Sequence, residues 1–163
     1  MKSKVAFAIL ASTIILASVI VAIPPVHAAI YNFTLEAGGQ ARDRSGGYHD
    51  VLMSLTGTGS GLPSSFMSFS VGSGTLNVEG YGVFRIIGGF GRYIARFHYI
   101  YFYIRIAPLY GGGVTFCSMF GRTGVYYASE IPLTLSSRFI VIPTLPRYTI
   151  LYGLFLVGEI TLS

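Results

Sequence analysis

Residues 93–106 constrain the fold more than any other stretch of this chain. They read YIARFHYIYFYIRI, and most of them are β-branched or aromatic, a composition that suits the pleated surface of a strand. From Tyr99 onward both faces of such a strand are apolar or aromatic. We therefore expect a central strand that is covered on both sides. A bend is expected near residues 96–99, because an unbroken strand of this length would span roughly 45 Å.

Glycine and proline interrupt the rest of the chain at short intervals. The sequence contains 21 glycines and seven prolines, and segments of alternating polarity, such as residues 30–41, lie between them. We expect a hairpin turn at residues 72–74 and a short strand over residues 125–129. The pattern predicts one all-β domain, residues 29–163. It would be an antiparallel sandwich of the jelly-roll kind, or a barrel, of about eight or nine strands.

Residues 1–28 are typical of an export signal that forms an apolar helix. Two lysines precede an uncharged apolar run over residues 5–23, two prolines follow it, and Ala28 stands at the expected cleavage position. The apolar run is just long enough to span a bilayer. A retained anchor is therefore the alternative to cleavage, and it would be the only contact with a membrane. In both cases the domain is expected to be secreted or held at the cell surface.

The charges give no sign of a nucleic-acid partner. Two of the eleven basic residues are lysines of the leader, so nine arginines stand against six acids in the remainder. The arginines are spread from Arg42 to Arg147, whereas nucleic-acid binders concentrate basic residues on one element or face. The single cysteine, Cys117, allows no internal disulfide. It is most simply a buried small apolar side chain, with a link between subunits as the alternative.

No constellation of catalytic or metal-binding residues is present in the sequence. His49 and Asp50 are adjacent in a predicted strand, so their side chains should point to opposite faces. No serine or cysteine is placed to complete a triad with them. His49, His98 and Cys117 lack the local spacing of zinc ligands. The sequence therefore predicts a protein that is not an enzyme and holds no metal or cofactor.

The candidate binding residues lie on and beside the predicted central strand. They are Arg92, Arg96, His98, Tyr99, Tyr101 and Tyr103. The first three would share one face and could pair with carboxylates or phosphates; a charged surface ladder is the alternative. The three tyrosines would line one face and could stack on sugars or on another subunit. Ordinary half-buried sheet packing is the alternative for the tyrosines.

Two functions fit these features. The first is a structural surface protein that self-assembles by donating its N-terminal strand, residues 30–41, to a neighbour's sheet. The alternative is a surface-displayed β domain that binds acidic glycans or other anions. A membrane-embedded barrel is a third reading, and strands that are apolar on both faces argue against the polar lumen it would need. Asn32 begins an N-glycosylation sequon, although it could equally be an ordinary surface residue.

Overall fold

Eight antiparallel strands follow one another around a closed barrel, and the last strand closes on the first. The computed structural model describes residues 28–144 and 147–163. The strands are β1 (Ala29–Arg42), β2 (Tyr48–Leu62), β3 (Phe66–Val78), β4 (Gly82–Ile94), β5 (Tyr99–Pro108), β6 (Thr115–Thr123), β7 (Glu130–Thr144) and β8 (Arg147–Leu162). The all-β prediction is confirmed; the sandwich alternative is wrong, because every strand pairs with its two neighbours and no second sheet exists in the described residues.

The predicted leader lies outside the described residues, apart from Ala28. Within the part of the chain that the structure describes, no helix is long and apolar enough to cross a membrane. A three-residue 3₁₀ turn, Ala95–Phe97, connects β4 to β5.

Strand alternation fills the inside of the barrel with apolar side chains. Successive residues point to opposite faces, and the inward ones are mostly buried. Phe33, Phe69 and Phe102 come from β1, β3 and β5 and meet across the barrel, with ring centroids between 4.9 and 6.4 Å apart. An eight-stranded barrel is just wide enough to be filled by its own side chains. The interior is therefore a packed core.

The predicted strand over residues 93–106 is wrong. It consists of the end of β4, the 3₁₀ turn and most of β5, which runs back beside β4. The reversal uses His98 in the left-handed conformation, with a φ of 48°, where a glycine would be the ordinary choice. The expected bend is thus a complete turn. Composition could not reveal it, because the residues on both sides of the turn are equally β-branched and aromatic.

Two further turn assignments also differ from the sequence prediction. Gly72 lies inside β3 as a bulge, since Ser73 pairs with Thr56 and Val71 pairs with Gly57. The β3–β4 turn lies further along, around Gly80, whose φ is 79°. Residues 125–129 form a loop between β6 and β7 and are not a strand. These changes give eight strands, at the lower end of the predicted number.

Closure of the barrel affects the role proposed for the N-terminal strand. β1 pairs with β2 along its whole length and with β8 from Phe33 to Arg42. Both sides of β1 are therefore paired from Phe33 to Arg42, and this part of the strand has no free edge to recruit another chain. Donation of β1 to a neighbour would first require both of these ladders to break.

Candidate interaction surface

The outer wall and the two ends are the surfaces through which a packed, closed barrel can meet a partner. Six aromatic side chains point outward from β4, β5 and β6, and we call them the aromatic face. They are Phe90, Tyr99, Tyr101, Tyr103, Phe116 and Phe120. The three phenylalanines are each about half exposed, at 49% to 50%. The three tyrosines are less exposed because they lie on β5, between the phenylalanines of β4 and β6.

Strand register brings these rings together. Phe90 of β4 is opposite Tyr103 of β5, and their ring centroids are 5.4 Å apart. Tyr103 in turn stacks on Phe116 at 5.5 Å, and Tyr101 lies 6.4 Å from Phe120. Distances of this size are typical of interacting aromatic pairs. The rings therefore form one continuous cluster across three strands.

Four arginines surround the aromatic face, and we call them the arginine rim. They are Arg85, Arg92, Arg105 and Arg122. All four are exposed, and Arg105 donates a hydrogen bond from Nη2 to the Ile87 carbonyl oxygen at 3.1 Å. The only ion pair among residues 28–144 and 147–163 joins His49 to Asp43. No carboxylate of the described chain therefore neutralises the rim.

Charge is divided between two halves of the wall. Residues 80–129, which form β4, β5, β6 and their connections, contain five arginines and no Asp or Glu. The remaining strands and turns carry all six acids and four arginines, a balance of two negative charges. The barrel is therefore basic on one side and weakly acidic on the other.

The structure brings four of the six predicted binding residues into this surface. Arg92 is opposite Tyr101 in the β4–β5 ladder, and the other two predicted tyrosines lie on the same outer face of β5. Arg96 and His98 do not join them, so the predicted stripe of Arg92, Arg96 and His98 is wrong. Both lie in the β4–β5 connection at one end of the barrel, where the Arg96 guanidinium is 5.8 Å from the Phe97 ring centroid.

The six predicted binding residues do not include the phenylalanines of the aromatic face, or Arg85, Arg105 and Arg122 of the rim. The alternation in β6 places Phe116 and Phe120 on one face and Cys117 and Met119 on the other, but both sets are apolar, so the outer set could not be identified. The sequence does contain one signal of this surface. The absence of acids across residues 80–129 marks the whole basic half without any knowledge of strand order.

A groove runs across the opposite wall, over β8, β1, β2, β3 and the start of β4. It has a volume of about 550 Å³, and we call it the acidic groove. Its lining includes Glu36, Gly38, Leu52, Ser54, Val83 and Val157. Glu36 accepts a hydrogen bond from Ser54 Oγ at 2.7 Å, and Glu159 lies directly opposite it on β8. The groove thus combines exposed apolar side chains with one carboxylate in its lining, Glu36, and Glu159 lies beside the groove.

The most polar cluster lies at the end of the barrel that carries the β1–β2 turn. Asp43 accepts hydrogen bonds from Ser45 Oγ at 2.7 Å and from the Gly47 N–H at 2.9 Å, and its other oxygen is 3.1 Å from His49 Nε2. These bonds hold the pKa of Asp43 well below its usual range, and the Ser45 hydroxyl is the largest cause. His49 Nδ1 is 3.0 Å from the Glu79 carbonyl oxygen. The histidine therefore ties the β1–β2 turn to the β3–β4 turn.

The residues considered as metal ligands are far apart in the barrel. His49 lies near the β1–β2 turn, His98 lies at the opposite end, and Cys117 points into the core. In the described part of the chain, no three His, Cys, Asp or Glu side chains are placed to hold a metal ion. Burial raises the pKa of the Cys117 thiol to about 12, and its inward position does not offer it to another subunit. Asn32, the first residue of the sequon, is exposed on the outer face of β1.

No protein-family model, curated protein or solved structure matches this chain.

Proposed function

We propose that this chain is an exported structural protein without catalytic activity, whose barrels self-associate through their outer wall. The observation that carries the proposal is the aromatic face, six clustered rings on the outside of a barrel whose core is already complete. Contiguous exposed apolar patches that polar residues surround often mark protein–protein interaction sites. Tyrosine, phenylalanine and arginine are also the residues enriched at protein interfaces.

Association through the wall requires no rearrangement of the barrel. The rings already project outward, whereas donation of β1 would require breaking its ladders with β2 and β8. Rigid aromatic side chains lose little conformational entropy when they are buried in a contact, and they dominate the energy of many interfaces. Export is part of the proposal and rests on the leader. N-terminal sequencing of the secreted protein should begin at Ala29.

The proposal is tested by measuring the mass of residues 29–163 with light scattering after size-exclusion chromatography. We expect assemblies larger than one chain, and we expect the double variant Phe90→Ser/Phe120→Ser to remain monomeric. Phe139→Ser is the matched control, because Phe139 is 52% exposed but lies on β7, outside the aromatic face. Circular dichroism and thermal melting confirm that each variant is folded. A wild-type chain that stays monomeric at every concentration would rule out the proposal.

A second function is favoured by the arginine rim. Guanidinium groups without a carboxylate partner, beside rings that can stack on sugars, suit an acidic glycan. In that case a monomer should bind polygalacturonate more tightly than neutral dextran, and added salt should weaken the binding. Arg92→Gln/Arg122→Gln should abolish it, while Arg138→Gln on β7 should not. This function is excluded if the wild type does not bind polygalacturonate. It is also excluded if Arg92→Gln/Arg122→Gln binds polygalacturonate as tightly as Arg138→Gln does.

A further inference from the structure

We infer that the copies associate head to tail, with the aromatic face of one copy seated on the acidic groove of the next. The inference rests on the proposed function, since it specifies which surface of the second copy receives the aromatic face. Three features of the described residues lead to it: the charges of the two walls, the shape of the groove and the positions of the two surfaces around the barrel.

The charges of the two surfaces are opposite. The basic half carries five arginines and no acid, so its field is not cancelled locally. The groove presents Glu36, and Glu159 is its direct neighbour across the β1–β8 ladder. Carboxylates bind guanidinium groups with two parallel hydrogen bonds. Glu36 has acceptor capacity left beyond its bond from Ser54, so it can accept hydrogen bonds from an arginine of a second copy.

The shape of the groove suits the insertion of rings. Its lining includes Gly38, and the Leu52 side chain lies over this glycine, since a Cβ atom there would be 3.1 Å from Leu52 Cδ2. Leu52 on one side and Val157 on the other are 59% and 54% exposed, which is high for side chains of this size. A protruding phenylalanine of the aromatic face would cover both of them. The groove is therefore apolar where the rings would enter and acidic where the arginines would lie.

The positions of the two surfaces predict an open polymer. The groove is centred on β1 and β2, and the aromatic face is centred on β5, so the two surfaces are three to four strands apart in a closed ring of eight. Contacts between different surfaces on opposite walls leave a free surface at each end of every pair, so addition continues. A symmetric dimer through two aromatic faces would instead bring two arginine rims together, and like charges that face each other across an interface repel.

The test mixes two variants that each lose one surface. Glu36→Arg damages the groove and leaves the aromatic face intact, whereas Phe90→Ser/Phe120→Ser damages the face and leaves the groove intact. Each variant alone should have at least tenfold weaker self-association than the wild type. An equimolar mixture should form 1:1 dimers and stop there, because the remaining surfaces cannot pair. Glu130→Arg, an equal change of charge outside the groove, should assemble as the wild type does.

The outcomes separate this inference from the proposed function. If Glu36→Arg assembles as well as the wild type while Phe90→Ser/Phe120→Ser does not, the face contacts some other surface and the head-to-tail arrangement is wrong. The same conclusion follows if the mixture stays monomeric. If the wild type itself is monomeric at every concentration, the proposed function fails and the inference fails with it. Thermal melting of each variant confirms that loss of assembly is not loss of folding.

Discussion

At the scale of single residues, the core depends on glycines that leave room for large rings. A Cβ atom at Gly91 would lie 2.5 Å from Phe102 Cδ1 and 2.9 Å from the Tyr101 carbonyl oxygen, so the ring or the strand would have to move. We expect Gly91→Ala to lower the free energy of unfolding by about 1–3 kcal/mol, the usual cost of overpacking a core. Gly72→Ala is the control, since the nearest atom to its Cβ is 3.7 Å away. Equal stability of the two variants in urea denaturation would refute this explanation.

Asp43 makes the stability of the barrel depend on the pH in the acid range. Its pKa is lowered in the folded state from 3.8, chiefly by the Ser45 hydroxyl and next by His49, so its ionised form is favoured by folding. The stability that the ionised carboxylate contributes is fully present above pH 3.8, the pKa of the unfolded chain. It is lost as the pH falls toward the lower pKa that Asp43 has in the folded protein. We expect Asp43→Asn to melt at a lower temperature than the wild type at neutral pH, with the difference narrowing below pH 3.8.

Ser45→Ala provides a check on that cause. It removes the largest stabilising bond to the Asp43 carboxylate and should reproduce part of the loss at neutral pH. The measurement is the melting temperature of the three proteins as a function of pH. A difference between Asp43→Asn and the wild type that is constant over the whole acid range would show that the carboxylate's ionisation is not involved.

At the scale of strands, alternation in the sequence located elements better than it located their turns. The predicted first strand, residues 30–41, agrees with β1 to within one residue at each end. Its polar and apolar residues alternate clearly because one face of β1 is exposed to solvent and the other is buried. The turn at His98 was not predicted as a chain reversal, because it contains no glycine or proline and the strands on both sides of it are apolar. The bulge at Gly72 has the sequence pattern of a turn, since glycine serves both purposes. The cluster of Phe90 with Tyr103 required the strand order, which local patterns do not contain.

The β6–β7 ladder should be the weakest part of the wall. It contains four residue pairs, between residues 120–123 and 133–136, although both strands continue beyond them. Further along, Thr115 Oγ1 donates to the Val141 carbonyl oxygen at 2.6 Å. Backbone amides that lack ladder partners exchange faster. Hydrogen exchange followed by mass spectrometry should therefore show faster exchange in residues 115–119 than in residues 120–123, and uniform protection would contradict this description.

At the scale of the whole molecule, the separation of charge gives the barrel a direction. One half of the wall is basic and aromatic, and the other half holds every acidic side chain of the described residues. The sequence already shows that residues 80–129 contain no acid. Only the closed barrel shows that these residues form one side of the wall. Steering between exposed charges weakens as salt is added, so assembly should decline between low and high ionic strength.

Electron microscopy of residues 29–163, at low salt and rising concentration, tests the central claim most directly. Self-association through opposite walls predicts unbranched polymers that add one barrel per step, and it predicts that Phe90→Ser/Phe120→Ser gives single particles only. Wild-type particles no larger than one barrel at every concentration would contradict the claim. That result would direct attention to acidic glycans as partners of the arginine rim.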